Sequence, residues 1–373
     1  MFFAKKLSFS GQALLLIVTL LIVYGLIAVA SAGIVLSNVN FHQSYYYFKS
    51  QFWKGLIPGV ILAILVFRFP YKEIKKISFF ALLAGIILLA GTFIPGLRIC
   101  QKGACRWVNL GFLAIQPAEI IKLLIIIYLS AWLEKHQKSL KSFFRGLLPI
   151  LLICGLVGTM ILIEPDLGTL GVLTLSIILL LFLGNVKIYH LGVLFLIGII
   201  IVFLAINFLP YASNRWHSFV NPGSDIQGKS YQSYQSLIAL GSGGLLGRGL
   251  GNSLQKYRFL PEPVGDSIFA IIGEELGFLG GAVLILLLFL FVYFGIRIAR
   301  RAPDRFGYFL VNGIIILIAV QSLINLAAIT RLIPLTGITL PFISYGGTSL
   351  AISLTSVGLI LNVDRNRRGK NNF

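Results

Sequence analysis

Apolar runs of membrane-crossing length recur along this chain from end to end, and that repetition excludes most folds. Ten of them fall at 13–33, 52–68, 77–96, 118–133, 146–163, 168–184, 190–209, 267–297, 307–330 and 346–363. Each is near the roughly 20 residues that cross about 30 Å of hydrocarbon at 1.5 Å per residue. Hydrophobic residues make up 57% of the 373 and charged residues only 12%, clustered between the runs. Soluble domains hold about 45–50% apolar residues even with glycine counted, so a soluble fold is excluded. In lipid the backbone must satisfy its own hydrogen bonds, which leaves helices as the spanning element. The expectation is an all-α integral membrane protein of about ten transmembrane helices. It forms one polytopic unit over 1–373, with a long extracytoplasmic loop, 210–266, between the seventh and eighth spans. Glu164-Pro165-Asp166 separates the fifth span from the sixth, because one helix over 146–184 would be too long and would bury two carboxylates and a proline. The first run is too long for a cleaved signal peptide and lacks a small-residue cleavage site, so it is expected to be retained.

The net charge is +19, from 31 Lys and Arg against 12 Asp and Glu. In a soluble protein that excess suggests nucleic acid, but no recognition motif accompanies it, and cationic flanks orient membrane proteins and meet anionic head groups. No nucleic-acid partner is expected. With the N-terminus inside, 19 of the 31 cations gather on the cytoplasmic side, including Lys5, Lys6, Lys72, Lys75, Lys76, Lys135, Lys138, Lys141, Arg368 and Lys370. Both termini are therefore placed in the cytoplasm of a multi-pass protein of the cytoplasmic membrane, with the aromatic cluster from Phe41 to Trp53 as an outer interfacial belt. The acids show the opposite bias. Glu119, Glu164, Asp166, Asp225, Glu262, Asp266, Glu274 and Glu275 all lie at or near the outer face. Ionisable groups at membrane depth are costly, so that convergence marks the outer side as the working face.

Metal-site spacing is missing from the sequence. His42, His136, His190 and His217 are scattered without the neighbours a metal site needs, and Cys100, Cys105 and Cys154 have no zinc spacing. Cys100 and Cys105 share an outer loop in a compartment where disulfides persist, and they are expected to be bonded, against the alternative of two free thiols. Cys154, within a span, is expected to stay unpaired.

Three stretches carry candidate chemistry. Arg106-Trp107-Val108-Asn109-Leu110-Gly111 leads into Gln116-Pro117-Ala118-Glu119-Ile120-Ile121-Lys122, where Pro117 suits a first helical position and Glu119 and Lys122 share one face. That pair is either a simple ion pair holding the helix or part of a polar cavity wall in which Arg106 and Lys122 hold a phosphate. The stretch 210–266 is long enough to suggest function. Its glycines from Gly241 to Gly251 lack a Gly-Lys-Ser/Thr ending and a preceding strand, so they read as a tightly turned segment rather than a nucleotide loop. Leu260-Pro261-Glu262-Pro263-Val264-Gly265-Asp266 then precedes an apolar helix bearing Glu274 and Glu275. Asp266 either caps that helix or serves as a general base.

Through these residues the chain resembles the SEDS family of shape, elongation, division and sporulation proteins, which includes FtsW and RodA, over nearly its whole length. The resemblance rests on Arg106-Trp107 with Gln116-Pro117-Ala118-Glu119 and Lys122, then Glu164-Pro165-Asp166-Leu167-Gly168-Thr169. It continues through Tyr231-Gln232 to Leu260-Pro261-Glu262, Phe269 and Glu274-Glu275-Leu276-Gly277. Pro334-Leu335-Thr336-Gly337 and Leu340-Pro341-Phe342-Ile343-Ser344-Tyr345-Gly346-Gly347 complete it. The resemblance implies a ten-span peptidoglycan glycosyltransferase that polymerises lipid II, releases undecaprenyl pyrophosphate and works beside a class B penicillin-binding protein and other divisome or elongasome membrane proteins. It implies that Asp266 matches the family's essential aspartate and that Trp107, Glu119 and Lys122 line a central cavity. Asp166, Glu262 and Ser344, which stand in the same motifs, complete the substrate-binding candidates. The run Gly249-Leu250-Gly251-Asn252-Ser253-Leu254-Gln255-Lys256 leans toward the division branch.

Departures from the family pattern bear on mechanism. Val264-Gly265 stands where the family usually has His-Thr, Ser267 where it has Phe, Ala118 where it has Ser, and Arg331 where glycine is common. Catalysis here cannot use that histidine; if the histidine tunes the aspartate in other members, Glu262 or a bound cation is expected to compensate, or this member is slow. The implied reaction is an inverting displacement at an anomeric carbon, with Asp266 as base and Arg106, Lys122 and a candidate divalent cation (Mg or Mn) balancing the leaving pyrophosphate. A lipid-linked precursor flippase and a non-catalytic divisome scaffold are the rival readings. The flippase lacks a visible inverted repeat.

Overall fold

The structure is a computed structural model and describes residues 7–101, 104–111, 113–137, 142–221 and 230–367. Lys5, Lys6, Lys138, Lys141, Asp225, Arg368 and Lys370 lie outside the described residues. Among those described, seven helices are long and apolar enough to cross a membrane, and two shorter apolar helices accompany them. In chain order the first is α1 (Phe9–Phe41). Next, α2 (Tyr46–Gln51) runs through one π-helical turn into α3 (Ile57–Arg68). α4 (Tyr71–Ala90) and α5 (Pro117–Lys135) follow, then α6 (Leu148–Ile163), α7 (Leu167–Leu183) and α8 (Ile188–Phe208). The long stretch after α8 holds α9 (Pro210–Val220) and α10 (Tyr231–Ser242). α11 (Ile268–Ala299), α12 (Arg305–Ile329) and α13 (Gly347–Arg365) complete the chain.

The apolar runs and the helices coincide closely, because hydrocarbon selects helix directly from local composition. The break at Glu164-Pro165-Asp166 also stands: α6 ends at Ile163, and Asp166 caps α7 by accepting the Thr169 amide at 3.1 Å. Two features differ from the expectation. The fold is not purely helical, since an antiparallel sheet of β1 (Arg98–Gln101), β2 (Ala104–Asn109) and β3 (Ala114–Ile115) links α4 to α5. Strands this short carry too little period-two pattern to be read from sequence. The eighth apolar run is also not one straight helix: Gly277 has φ 65° and ψ −164°, which breaks α11 into a short N-terminal piece and a longer C-terminal one. Only glycine takes that conformation without strain, and a Cβ there would meet the Gly247 amide nitrogen at 2.3 Å.

α12 and α13 occupy the middle of the bundle, whereas α8 lies at its margin with most side chains outward. Small residues let backbones approach where no hydrophobic force acts between helices in lipid. A Cβ on Gly358 of α13 would stand 2.5 Å from the Ala63 carbonyl of α3. Buried polar links fix the same packing: Asn362 Nδ2 donates to the carbonyls of Val66 and Phe69 at 2.7 and 2.9 Å. Asp364 of α13 accepts from the Ser8 amide and hydroxyl at 2.7 and 2.6 Å, so the two ends of the chain lie together at one end of the bundle.

Candidate active site

An extended segment, residues 334–340, organises the site from within the bundle. Its carbonyls cannot pair in a strand, so side chains satisfy them, as burial demands. Arg215 Nη1 donates to Leu335 O at 2.8 Å, Asn325 Nδ2 to Ile338 O at 2.8 Å and Gln321 Nε2 to Thr339 O at 3.0 Å. Asn325 Nδ2 also donates to the Asp266 carbonyl at 3.0 Å, which ties the loop before α11 to this spine. On the other flank α7 packs close, since a Cβ on Gly168 would meet Thr336 O at 2.7 Å.

Asp266 therefore sits half-buried just ahead of α11. Gln232 Nε2 of α10 donates to its two oxygens at 3.2 and 3.3 Å and to Ser267 Oγ at 3.0 Å. Facing it is Arg215 of α9. A Cβ built on Gly337, whose φ is +70°, would be 3.1 Å from Arg215 Nη2 and 3.8 Å from Asp266 Oδ2, so guanidinium and carboxylate both lie close to this glycine. The Arg215 guanidinium lies over the Tyr211 ring, 4.2 Å from its centroid. Burial lowers the pKa of Arg215 from its ordinary value, opposed by Tyr211, Asp266 and Asp166, and it stays a cation. Neither Arg215 nor Gln232 was singled out from sequence as a site residue. The available signal was an arginine in the long loop beside a membrane whose outer face carries acids.

Arg106 and Asp166 form the adjoining wall. Arg106 Nε donates to Glu164 O at 3.1 Å, its Nη2 to Pro165 O, and its Nη1 stands 3.8 Å from Asp166 Oδ2. Asp166 also accepts from Thr169 Oγ1 at 2.9 Å. Arg106 thus clamps the break between α6 and α7 with most of its donors. Beside it, Glu164 is 2% exposed, accepts Thr92 Oγ1 at 2.6 Å and leaves its second oxygen buried without a hydrogen-bond partner among the described residues. Burial pushes its carboxyl up to about 7; the charge of Asp166 adds to that, and the Thr92 hydrogen bond and Arg106 oppose it. Trp107 lies on β2 opposite Ile99, half-buried, next to this wall. Cys100 and Cys105 pair across the same hairpin and are joined by a disulfide, while Cys154 is free.

Other sequence candidates are held by contacts within the chain. Lys122 is 2% exposed and donates to Glu119 at 2.8 Å and to Gln321 Oε1 at 2.7 Å. Both members of the pair are buried and bonded within the bundle. Through Gln321 the pair supports the 334–340 spine. Ser344 is buried too: its hydroxyl donates to Gly265 O and accepts the Leu340 amide, each at 2.8 Å. It positions the Asp266 loop rather than facing a ligand. Glu262 is exposed, with φ 51°, and its carbonyl accepts the Gly265 and Ser267 amides at 3.0 and 3.3 Å. Gln232 and Ser267 lie within hydrogen-bonding distance of the Asp266 carboxylate, and Arg215 acts on it electrostatically.

Glu274 and Glu275 hold the glycine-rich run. Glu274 accepts from Ser253 Oγ and the Leu254 amide, and Glu275 accepts from Ser31 Oγ at 2.6 Å and Lys256 Nζ at 3.0 Å. The run docks on the break in α11, with Phe278 N donating to Gly244 O at 2.8 Å. Among the described residues no group of three or more His, Cys, Asp and Glu side chains comes together as metal ligands. The described side chains at Asp266 supply one carboxylate with a guanidinium nearby, so a Mg or Mn ion there would take its remaining ligands from substrate phosphate and water.

A multi-pass helical protein with a carboxylate and a guanidinium beside a buried polar spine is the class these features define. Residues 12–369 match the family described as "Cell cycle protein" (FtsW/RodA/SpoVE). The chain belongs to this family, the SEDS membrane proteins. It is 42% identical to stage V sporulation protein E of Bacillus subtilis over 96% of this chain and 98% of that one. It is 35% identical to a "Probable peptidoglycan glycosyltransferase FtsW" of Geobacter metallireducens over 98% and 97%. Among solved structures it resembles a peptidoglycan synthase complex that coordinates polymerization and crosslinking (TM-score 0.78, 24% identity, 95% and 98% covered). The rod shape determining protein RodA of Thermus thermophilus shares the fold as well (TM-score 0.67, 24% identity, 96% and 97% covered).

Proposed function

We propose that this chain is an inverting peptidoglycan glycosyltransferase that polymerises lipid II at the outer face of the cytoplasmic membrane. In this reading the bundle crosses ten times and keeps both termini in the cytoplasm, and the stretch 210–266 roofs the outer side. The observation that carries the reading is the Asp266 carboxylate, steadied by Gln232 and Ser267, with the Arg215 guanidinium also close to Gly337. A base and a fixed cation close to the same glycine suit a displacement. The hydroxyl oxygen of the acceptor sugar bonds to the donor's anomeric carbon, its proton passes to Asp266, and the bond to undecaprenyl pyrophosphate breaks with its electron pair. An α-linked donor then gives a β-linked glycan in one inversion, which needs a single base. Arg215 balances charge on the departing pyrophosphate, a role the sequence suggested for Arg106 and Lys122, and preorganised charge is worth most in such a sheltered site.

The names of the relatives support this chemistry, and the complex among the structural neighbours supports a class B penicillin-binding protein as partner. The exposed apolar face of α11, with Phe278, Val283, Leu286, Phe289 and Tyr293, is the proposed docking side. A flippase route would run through Glu119 and Lys122, but that pair is buried and satisfied internally. The test is Asp266→Asn in purified protein given accessible lipid II. Glycan synthesis should stop while the variant inserts and binds its partner normally; full polymerisation by it removes Asp266 from the mechanism.

A further inference from the structure

A second site lies at the opposite end of the bundle from Asp266, on the side where the chain termini meet. The first turns of α4, the last turn of α5 and the start of α12 enclose a cavity of about 790 Å³. Its rim carries Lys72, Lys75, Lys76 and Lys135. Two acids share the cavity, and both are engaged. Glu134 ion-pairs with Lys75, and Asp304 caps α12 at the Gly307 amide, 2.8 Å away, while accepting the Tyr71 hydroxyl. Lys76 pairs with Glu73 at 2.7 Å. Lys72 and Lys135 are exposed and have no ion pair among the described residues.

Below the rim the wall is aromatic. Phe79 and Tyr128 have ring centroids 6.1 Å apart, Tyr128 and Trp132 6.2 Å, and Trp132 and His136 stack at 3.8 Å. Trp132 Nε1 donates to Gly146 O at 3.1 Å, so the middle of this ladder is fixed. Phe79 lies about two turns of α4 deeper than Lys72, or about 10 Å at 1.5 Å per residue. It adjoins a helix surface on which Ile77, Phe80 and Leu83 are exposed. The cavity is thus cationic at its mouth, aromatic along its wall and continuous with an apolar surface.

We propose that this cavity binds the phosphate headgroup of an anionic phospholipid, with its acyl chains laid along α4. A soluble phosphate has no use for the aromatic wall or the apolar continuation, whereas a lipid uses all three zones. Basic clusters at the cytoplasmic ends of helices attract anionic head groups for the same electrostatic reason. The inference rests on the placement of the chain termini in the cytoplasm, and its test needs no glycan synthesis, so it stands or falls separately from the assignment of Asp266.

The experiment is native mass spectrometry of the purified full chain with phosphatidylglycerol, with phosphatidylcholine of the same acyl length, and with inorganic phosphate as competitor. Wild type should retain one phosphatidylglycerol in preference to phosphatidylcholine, and millimolar phosphate should not displace it. Lys72→Gln with Lys135→Gln should weaken retention about thirtyfold, as each lysine near an anionic head group contributes on the order of fivefold. Lys72→Arg with Lys135→Arg should retain the lipid, and Lys187→Gln, a cation outside the cavity, should behave as wild type. Equal retention of both lipids, displacement by phosphate, or undiminished retention by a folded glutamine variant would overturn the proposal.

Discussion

Replacing Arg215 with methionine removes the cation that flanks Asp266 while keeping a side chain of similar length. Three connections are lost at once: the 2.8 Å bond to Leu335 O, the stacking over Tyr211 at 4.2 Å, and the charge facing the carboxylate. The first two are structural and contribute on the order of 1 kcal/mol each. The third acts in the transition state, where removing one preorganised electrostatic group typically lowers kcat about 10²–10³-fold. Arg215→Lys keeps the charge but loses the planar fork that bonds Leu335 and stacks on Tyr211, so about a tenfold loss is expected. The assay is polymerisation of lipid II by purified protein, read as glycan strands on gels, with thermal unfolding in the same detergent as the fold control. The loss should fall mainly on kcat. A methionine variant that polymerises at the wild-type rate with an unchanged unfolding midpoint refutes the role given to Arg215.

Lys122→Met should destabilise the bundle by about 3–5 kcal/mol by leaving Glu119 as an unpaired buried charge, and adding Glu119→Gln should restore much of that. A double variant no more stable than the single in thermal unfolding contradicts the structural role. Glu164 makes a separate prediction in pH. Its folded carboxyl is raised to about 7 from 4.5, so the folded state binds the proton more tightly than the unfolded chain. Its contribution to stability is full below the unfolded value and falls as pH rises toward 7, by on the order of 3 kcal/mol in all. Glu164→Gln should flatten the unfolding midpoint between about pH 4.5 and 7 relative to wild type; an unchanged pH slope counts against the shifted carboxyl.

The helices were legible in the sequence because a bilayer makes local composition decisive: an apolar run of span length has no alternative to helix. The break at Pro165 followed from the same rule, since two acids and a proline cannot continue a membrane helix. Asp266 and Arg106 could be named from motifs. Their surroundings could not, because Gln232, Arg215, Gly337 and Asn325 come from four separate elements and meet only when α9 and α10 fold over the 334–340 spine. The partners of the buried charges were equally invisible. Lys122 has a carboxylate three residues away in sequence, but only α12 supplies Gln321 and closes the pair to solvent. Glu274 and Glu275 read as outer-face acids, and only docking of the glycine-rich run turns them into its anchors. Hydrophobic transfer acts residue by residue along a segment and so is written in the chain. Pairing of buried charges depends on distances between segments, which tertiary packing alone sets.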